Sequence, residues 1–571
     1  MAVGYKDAWA LMGCAAGVAA ASPWLAGSPV IPFMALAPAI TGAWFTYRKV
    51  LDKLDITDEQ KRENFILPSD ESFGEFMPSK TGIRFGYTKD TSTPLDIADM
   101  FLSRHTAVIG QSGVGKTTLG EYILFQQVQR GGGFIFIDAK LDGDTRDKLA
   151  YMLQLAGRPD DFFLLNVDDP SNSHTYNPIL EGDSDEVASR LLNLLPSSEN
   201  SPGADFYRQQ AMYALTVLTG ALKSANRRYN FSDLAILLQS DRALESLLRL
   251  PIKNEARMTL EIFLNQFRKK DKNGAMIDVN KVKEQLGGMS GRIAQFAQGK
   301  FGQVFNTYTP EIDLYNIVRT NKCLYVMLPT MGKDQAALNL GKMILSDLRT
   351  AVYKIQGLSS DKRPNPPFIV FADEMGSYVM PGIARLFEQA RSAQICMIPA
   401  FQTFANLRAV SPDFEDIIIG NTWNKIFFKF ASKDSPETAA EIIGKTKKTI
   451  KSISTSENEG TSAQNVRTTP QGSGSRGGGM TESWRESEEY RIQPDHLKSM
   501  GMGEAVVMSG PRVFHISTPM LKFPKPPPYR VTRHRMTMPA HEIGLDLHDR
   551  YREFLMEATS PDQETQGFTP V

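Results

Sequence analysis

The chain has 571 residues, too many for one ordinary core, and its composition of 42% hydrophobic and 22% charged residues is that of folded protein. Those figures exclude a wholly disordered chain, a collagen-like fibre and a polytopic membrane protein. Lys+Arg and Asp+Glu balance at 64 each, so binding to nucleic acid or anionic lipid must come from local patches, and three scattered cysteines exclude a disulfide framework.

The first 50 residues are the least average part of the chain. From Ala8 to Tyr47 there is no charged residue, and a spanning helix needs about 20 apolar residues. The spacing predicts a transmembrane hairpin over 1–50, divided near Gly27-Ser28-Pro29. Lys6 precedes it and Arg48, Lys49 and Lys53 follow, so the positive-inside rule puts both ends in the cytoplasm. Gly13-x-x-x-Gly17 is a close-packing signature for helices in lipid. A buried hairpin of a soluble core and a signal peptide cleaved near Ala19-Ala20-Ala21 are the competing readings. Residues 51–100 read as a polar linker leading into a small β element.

From 101 to 185 the pattern is strand–loop–helix–strand, the first part of an α/β nucleotide-binding domain. His105-Thr-Ala-Val-Ile109 runs into Gly110-Gln-Ser-Gly-Val-Gly115-Lys116-Thr117, a complete G-x-x-x-x-G-K-T followed by a helical stretch from Thr118 to Gln127. The loop from Gly110, Gln111, Ser112, Gly113, Val114 and Gly115 to Thr118 is expected to wrap phosphate oxygens with backbone N–H groups at a helix N-terminus. Lys116 is then expected to reach the β- and γ-phosphates of ATP, and Thr117 to hold Mg2+.

Residues 186–300 read as an inserted all-α domain. Ala211, Leu215, Leu218 and Leu222 recur at helical spacing, and Ser232-Asp233 is expected to cap the run Leu234 to Leu238. Arg268-Lys-Lys270 with Lys272 reads as a solvated loop or a contact for DNA phosphates. Strand-like runs return at Cys323–Leu328, Phe368–Ala372, Ile395–Ala400 and Lys425–Phe430, giving the second part of the nucleotide-binding domain over 301–525.

Hydrolysis needs a carboxylate beside the metal and a group to orient water. Phe368-Ile-Val-Phe-Ala-Asp373-Glu374 offers adjacent acids, Asp373 for the Mg2+ shell and Glu374 as base. Asp138, at the end of Phe134-Ile-Phe-Ile-Asp138, is expected to mark a neighbouring strand. Lys116 and Asp373 lie 257 positions apart, which independently argues for an insertion. A helix over Ile383–Ser392 carries Arg385 and Arg391, and the next strand ends at Gln402. An arginine there can complete a neighbouring subunit's site, and a strand-end glutamine can sense the γ-phosphate. Ser452–Glu489 is low-complexity and reads as a mobile loop. Residues 526–571 form a C-terminal tail, with a basic block from Arg530 to Arg535 and an amphipathic helix expected from Glu542 to Met556. No histidine or cysteine pattern has metal-site spacing.

Taken in order, these elements resemble the type IV secretion coupling proteins of the TraD/TraG and DotL kind. The match is carried by the N-terminal hairpin, Gly110–Thr117, Phe136-Ile-Asp138-Ala-Lys140, Tyr176-Asn177-Pro178, Phe371-Ala-Asp373-Glu374, Gln389-Ala-Arg391-Ser and Gln402. The resemblance implies a RecA-like P-loop ATPase anchored in the bacterial inner membrane and assembled as a homo-hexamer beneath a secretion channel. It implies finger and sensor roles for Arg391 and Gln402, and recruitment of relaxase-bound single-stranded DNA or an effector protein. A duplex DNA translocase of the chromosome-segregation type and a nucleotide-gated scaffold with little turnover are the alternatives.

Overall fold

The computed structural model describes residues 81–195, 202–271, 274–332, 334–458, 477–534 and 536–548. Its centre is one sheet of eleven strands. In chain order these are β1 (Gly82–Thr88), β2 (Pro94–Ala98), β3 (Thr106–Ile109), β4 (Phe134–Asp138) and β5 (Phe162–Asn166). The small strands β6 (Arg227–Arg228), β7 (Arg268–Asp271) and β8 (Gly274–Ile277) stand apart from it. The sheet resumes with β9 (Cys323–Met327), β10 (Phe368–Ala372), β11 (Ile395–Phe401) and β12 (Asn424–Phe428). A separate ribbon, β13 (Lys445–Asn458) and β14 (Gly477–Tyr490), precedes β15 (Glu504–Ser509) and β16 (Arg512–Ser517), and β17 (Ile543–Gly544) comes last.

Across the sheet the order is β2-β1-β16-β15-β12-β3-β11-β10-β4-β9-β5. From β12 to β5 every neighbouring pair is parallel, and from β12 to β2 every pair is antiparallel. The parallel strands are buried at every position and mostly apolar, because both faces are covered. Alternate side chains enter opposite cores: Phe134 and Phe136, Ile369 and Phe371, Cys396 and Ile398 on one face, Ile135 and Ile137, Phe368 and Val370, Ile395 and Met397 on the other. The helix Lys116–Gln129 packs Leu119, Tyr122, Ile123 and Phe125 into the first core. This is the α/β class, with a large parallel sheet, expected from the order of motifs.

Neighbouring strands β5 and β9 are separated in sequence by the helices Ser184–Leu192, Pro202–Ser224, Phe231–Leu237, Asp241–Leu247, Asn254–Asn265, Val279–Ala297 and Gly299–Phe305. A crossover between adjacent parallel strands requires only about a dozen residues, so this helical block is an addition to the sheet. The Tyr176-Asn177-Pro178 turn joins the two. Tyr176 donates to Asp347 Oδ2 at 2.7 Å, Asn177 Nδ2 donates to the carbonyls of Tyr229 (2.9 Å) and Thr307 (2.8 Å), and the Pro178 carbonyl accepts from Arg190. Arg190 and Asp347, both buried, pair at 3.0 Å.

Several local expectations need correction. The cap of Phe231–Leu237 is Asn230, whose side chain accepts from Asp233 N while Asp233 accepts from Asn230 N. The basic run Arg268–Lys270 lies on β7 of a short hairpin, with Arg268 donating to Asn265. Residues 452–458 and 477–489, expected as a mobile loop, pair along the β13–β14 ribbon from Lys445↔Tyr490 to Asn458↔Gly477. A two-stranded ribbon satisfies its backbone without needing a core, and Lys447 stands opposite Glu488. Residues 459–476 lie outside the described residues.

The chain after β16 is extended and crosses the sheet edge at β5. Tyr529 N donates to Asp147 Oδ1 (3.0 Å), Val531 N to Asn172 Oδ1 (2.8 Å) and His534 N to Glu311 Oε1 (2.7 Å). Arg533, from the basic block, donates to Glu311 Oε2 at 2.9 Å. Farther on, β17 pairs with β6, and Leu547 N donates to Asp233 Oδ1 of the helical block. The helix expected from Glu542 starts later: residues 543–544 are a strand, residues 547–548 are helical, and the rest of the expected span lies outside the described residues. The predicted hairpin over 8–47 also lies outside them; among the described residues no helix is long and apolar enough to cross a membrane.

Candidate nucleotide site

The site forms where β3, β11 and β10 end. Pairing of Ile109 with Phe401, and of Ala372 with Pro399, brings the turn after β3, Gln402 and the two acids after β10 to one edge. β11 therefore lies between the loop strand and the acid strand, so Gln402 stands between the phosphate loop and the carboxylates.

The loop 110–115 is fixed from both sides. Gly110 N donates to Phe401 O at 3.1 Å, Gln111 N to Lys429 O at 3.0 Å, and Gly503 N to Val114 O at 2.9 Å. A Cβ on Gly110 would stand 2.5 Å from Phe428 Cβ, and Gly115 holds φ +110°, a region that favours glycine. Ser112 and Gly113 form the exposed tip, Val114 is buried beneath it, and Thr118 lies in the first turn of the helix that follows. Lys116 is buried and donates to the carbonyls of Gly110 (2.6 Å) and Gln111 (2.9 Å). Burial pulls its pKa below the ordinary lysine value, against the attraction of Asp373 and Glu374.

Asp373 is 1% exposed. Its Oδ2 accepts from Thr117 Oγ1 at 3.2 Å, and its Oδ1 accepts from Glu374 N at 3.1 Å. Tyr378 Oη donates to its backbone carbonyl at 2.9 Å. Burial pushes the Asp373 carboxyl above the usual range, against the pull of Lys140 and Lys116. Glu374 stands in the left-handed region at φ +49°, a strained conformation for a non-glycine residue and one that concentrates at functional sites. Gln402 Nε2 donates to Glu374 Oε1 at 2.9 Å. A hydroxyl and a buried carboxylate this close form a hard-oxygen pair suited to Mg2+, so the residues present fit the metal expected with ATP.

Asp138 ends β4, the strand beside β10. It accepts from Tyr325 Oη at 2.7 Å and from Lys140 N at 2.9 Å, and burial pushes its pKa up to about 7. Lys140, to which no role was assigned from sequence, reaches back so that Nζ lies 3.3 Å from Glu374 Oε1 and 4.0 Å from Asp373 Oδ2. Burial opposes its charge, but the two acids outweigh that and raise its pKa. Its position two residues after a strand-end acid was the available signal.

Arg391 is the one predicted residue that the fold does not bring to this edge. It lies in the turn Ala390–Ala393, ahead of β11, whereas Gln402 follows β11. Seven strand residues, at roughly 3.3 Å each, separate the two by about 20 Å.

Two family models match the sequence: the TraM recognition site of TraD and TraG over residues 367–501, and the central domain of the helicase HerA over residues 83–144. The type 4 coupling protein DotL of Legionella pneumophila subsp. pneumophila (strain Philadelphia 1) is 27% identical over 396 residues, which cover 62% of this chain and 50% of DotL. The chain thus spans about half the length of that curated relative. Among solved structures, the unbound monoclinic form of the conjugative coupling protein TrwBdeltaN70 superposes with a TM-score of 0.50 at 15% identity, covering 78% of this chain and 92% of that one. The plasmid coupling protein TrwB in complex with ADP and Mg2+ gives a TM-score of 0.50 at 14% identity, with the same two coverages. In sequence this chain is similar to the coupling protein DotL, and in fold to the coupling protein TrwB.

Proposed function

We propose that the chain is the nucleotide-driven coupling ATPase of a type IV secretion or conjugation channel. The observation that carries this reading is the convergence of Lys116, Thr117, Asp373, Glu374 and Gln402 at one sheet edge, with Thr117 and Glu374 held by Asp373 and Gln402. Similarity to DotL and to TrwB supports it. Lys116 exchanges its loop carbonyls for the β- and γ-phosphate oxygens of ATP. Thr117 and Asp373 hold Mg2+, which neutralises charge on the phosphate oxygens when bound. Glu374, oriented by Gln402, accepts the proton of the attacking water, and Gln402 registers the γ-phosphate. Arg391 acts on the nucleotide of a second copy in a homo-hexamer.

The cargo is relaxase-bound single-stranded DNA or an effector protein, passed to the channel components. The uncharged stretch from Ala8 to Tyr47 supports a place in the bacterial inner membrane with both termini in the cytoplasm. The test is ATP turnover with and without single-stranded DNA. Glu374→Gln should bind ATP and lose turnover by on the order of 10²–10⁴-fold, the usual contribution of a general base. Turnover within a few-fold of the parent would refute this assignment of the base.

A further inference from the structure

At the sheet edge opposite the nucleotide loop, around the starts of β3, β11 and β12, lies a cavity of about 520 Å³. Its walls include Arg104, His105, Glu388, Arg391, Trp423 and Lys425. Three cations thus meet one carboxylate, and among the described residues none of the three makes an ion pair. Lys425 is 9% exposed, and its Nζ donates to the Thr422 carbonyl at 2.5 Å. Arg104 lies with its guanidinium 4.7 Å from the Trp423 ring and 5.7 Å from the Phe101 ring, and its buried Nε has no partner among the described residues.

His105 does not change the balance. Its Nδ1 accepts from Met397 N at 3.1 Å and its Nε2 donates to Phe387 O at 2.8 Å, which fixes the neutral ring. Of the three, Lys425 is buried, Arg104 is half-buried and Arg391 is exposed at the rim, and a buried cation without counter-charge is costly unless an anion joins it. Arginine presents a planar fork that matches phosphate, lysine a point charge, and the volume falls within the ~300–1,000 Å³ of small-molecule sites.

We propose that this cavity is a second phosphate site, taking a phosphate-bearing ligand of nucleotide size on Arg104, Arg391 and Lys425. The phosphate comes either from a free ligand or from nucleotide seated on the loop of a second copy. The first source is independent of the proposed ATPase activity, and the second rests on it.

The full chain carrying Lys116→Ala, which disables the first site, is titrated with pyrophosphate by calorimetry. In parallel, dissociation of a non-hydrolysable ATP analogue is timed from the parent chain across a range of protein concentrations. Adding Lys425→Met, close in shape but uncharged, or Arg104→Gln removes one charge-assisted contact, for which a weakening of about tenfold or more is expected. Pyrophosphate bound by Lys116→Ala and weakened by either change identifies a free ligand. No pyrophosphate binding, but faster analogue release in the Lys425→Met or Arg104→Gln chain at concentrations where copies assemble, identifies the second copy's phosphate. Unchanged unfolding midpoints show that the variants remain folded, and Arg104→Gln alone decides the matter if Lys425→Met does not fold. Absence of both effects overturns the proposal, as does pyrophosphate binding indifferent to the added changes.

Discussion

Two carboxylates end adjacent strands, and the charge of one of them should work against folding. Burial raises Asp138 from an unperturbed 3.8 to about 7, so the folded chain binds this proton more tightly than the unfolded chain. Stability from the group is therefore complete below about pH 4 and declines as pH rises towards 7. Three units at 1.36 kcal/mol each make the penalty about 4 kcal/mol above pH 7. Asp138→Asn removes it without stranding a partner. The amide oxygen keeps the Lys140 N–H, and the amide nitrogen donates to Tyr325 Oη, whose hydroxyl turns to the Asp142 carbonyl 3.3 Å away. In urea unfolding, the variant should match the parent at pH 4, gain up to about 4 kcal/mol at pH 8, and continue to hydrolyse ATP. A stability difference that does not change with pH would refute the reasoning. So would loss of hydrolysis in Asp138→Asn with retention in Asp373→Asn, which would move the metal ligand to β4.

Arg190→Met leaves Asp347 a buried charge without its cation, so unfolding should cost about 3–5 kcal/mol less, and a second change, Asp347→Asn, should recover much of the loss. Chains with Lys116→Ala and chains with Arg391→Ala should each be inactive; when mixed and exchanging they should recover hydrolysis, because an arginine finger contributes roughly 10³–10⁵ in rate and here must act between copies. A folded mixture without recovery would count against that role. The full chain should sediment with membranes and resist carbonate extraction, and a version starting near Leu51 should not.

The phosphate loop was legible because its chemistry dictates its spelling: a glycine where a neighbouring strand leaves no room for a Cβ, a glycine where φ is positive, then lysine and threonine at fixed spacing. Asp373 and Glu374 were legible for a related reason, since adjacent acids directly after an apolar run mark the end of a buried strand, where a nucleotide's metal needs a carboxylate. The strands followed from the same runs, and β9, β10 and β11 lie within a residue of their expected bounds. What sequence distance does not carry is direction across a sheet. Arg391 is eighteen positions after Asp373, yet β11 must run its full length between Arg391 and Gln402, so the two stand on opposite edges. Lys140 was missed because its partners follow β10, more than 230 positions later in the chain. The ribbon was missed because serine, threonine and glycine carry no amphipathic signal, although their backbones pair as well as any.

The extended segment after β16 has a bearing on how the molecule is made. Tyr529 and Asp147 are 382 positions apart, and Leu547 and Asp233 are 314 apart. The partners of Tyr529, Val531, His534 and Leu547 have left the ribosome long before those residues do. Its seats, among them the pockets that bury Leu545 and Leu547, stand open during that interval. Closing such long loops costs on the order of 5 kcal/mol, a sum that grows only with the logarithm of length. The contacts of this segment with the helical block and the β5 edge are therefore the last of the described chain that can form. Copies made side by side on one message spend that interval with identical empty seats exposed to one another, where a segment from one chain can enter another's.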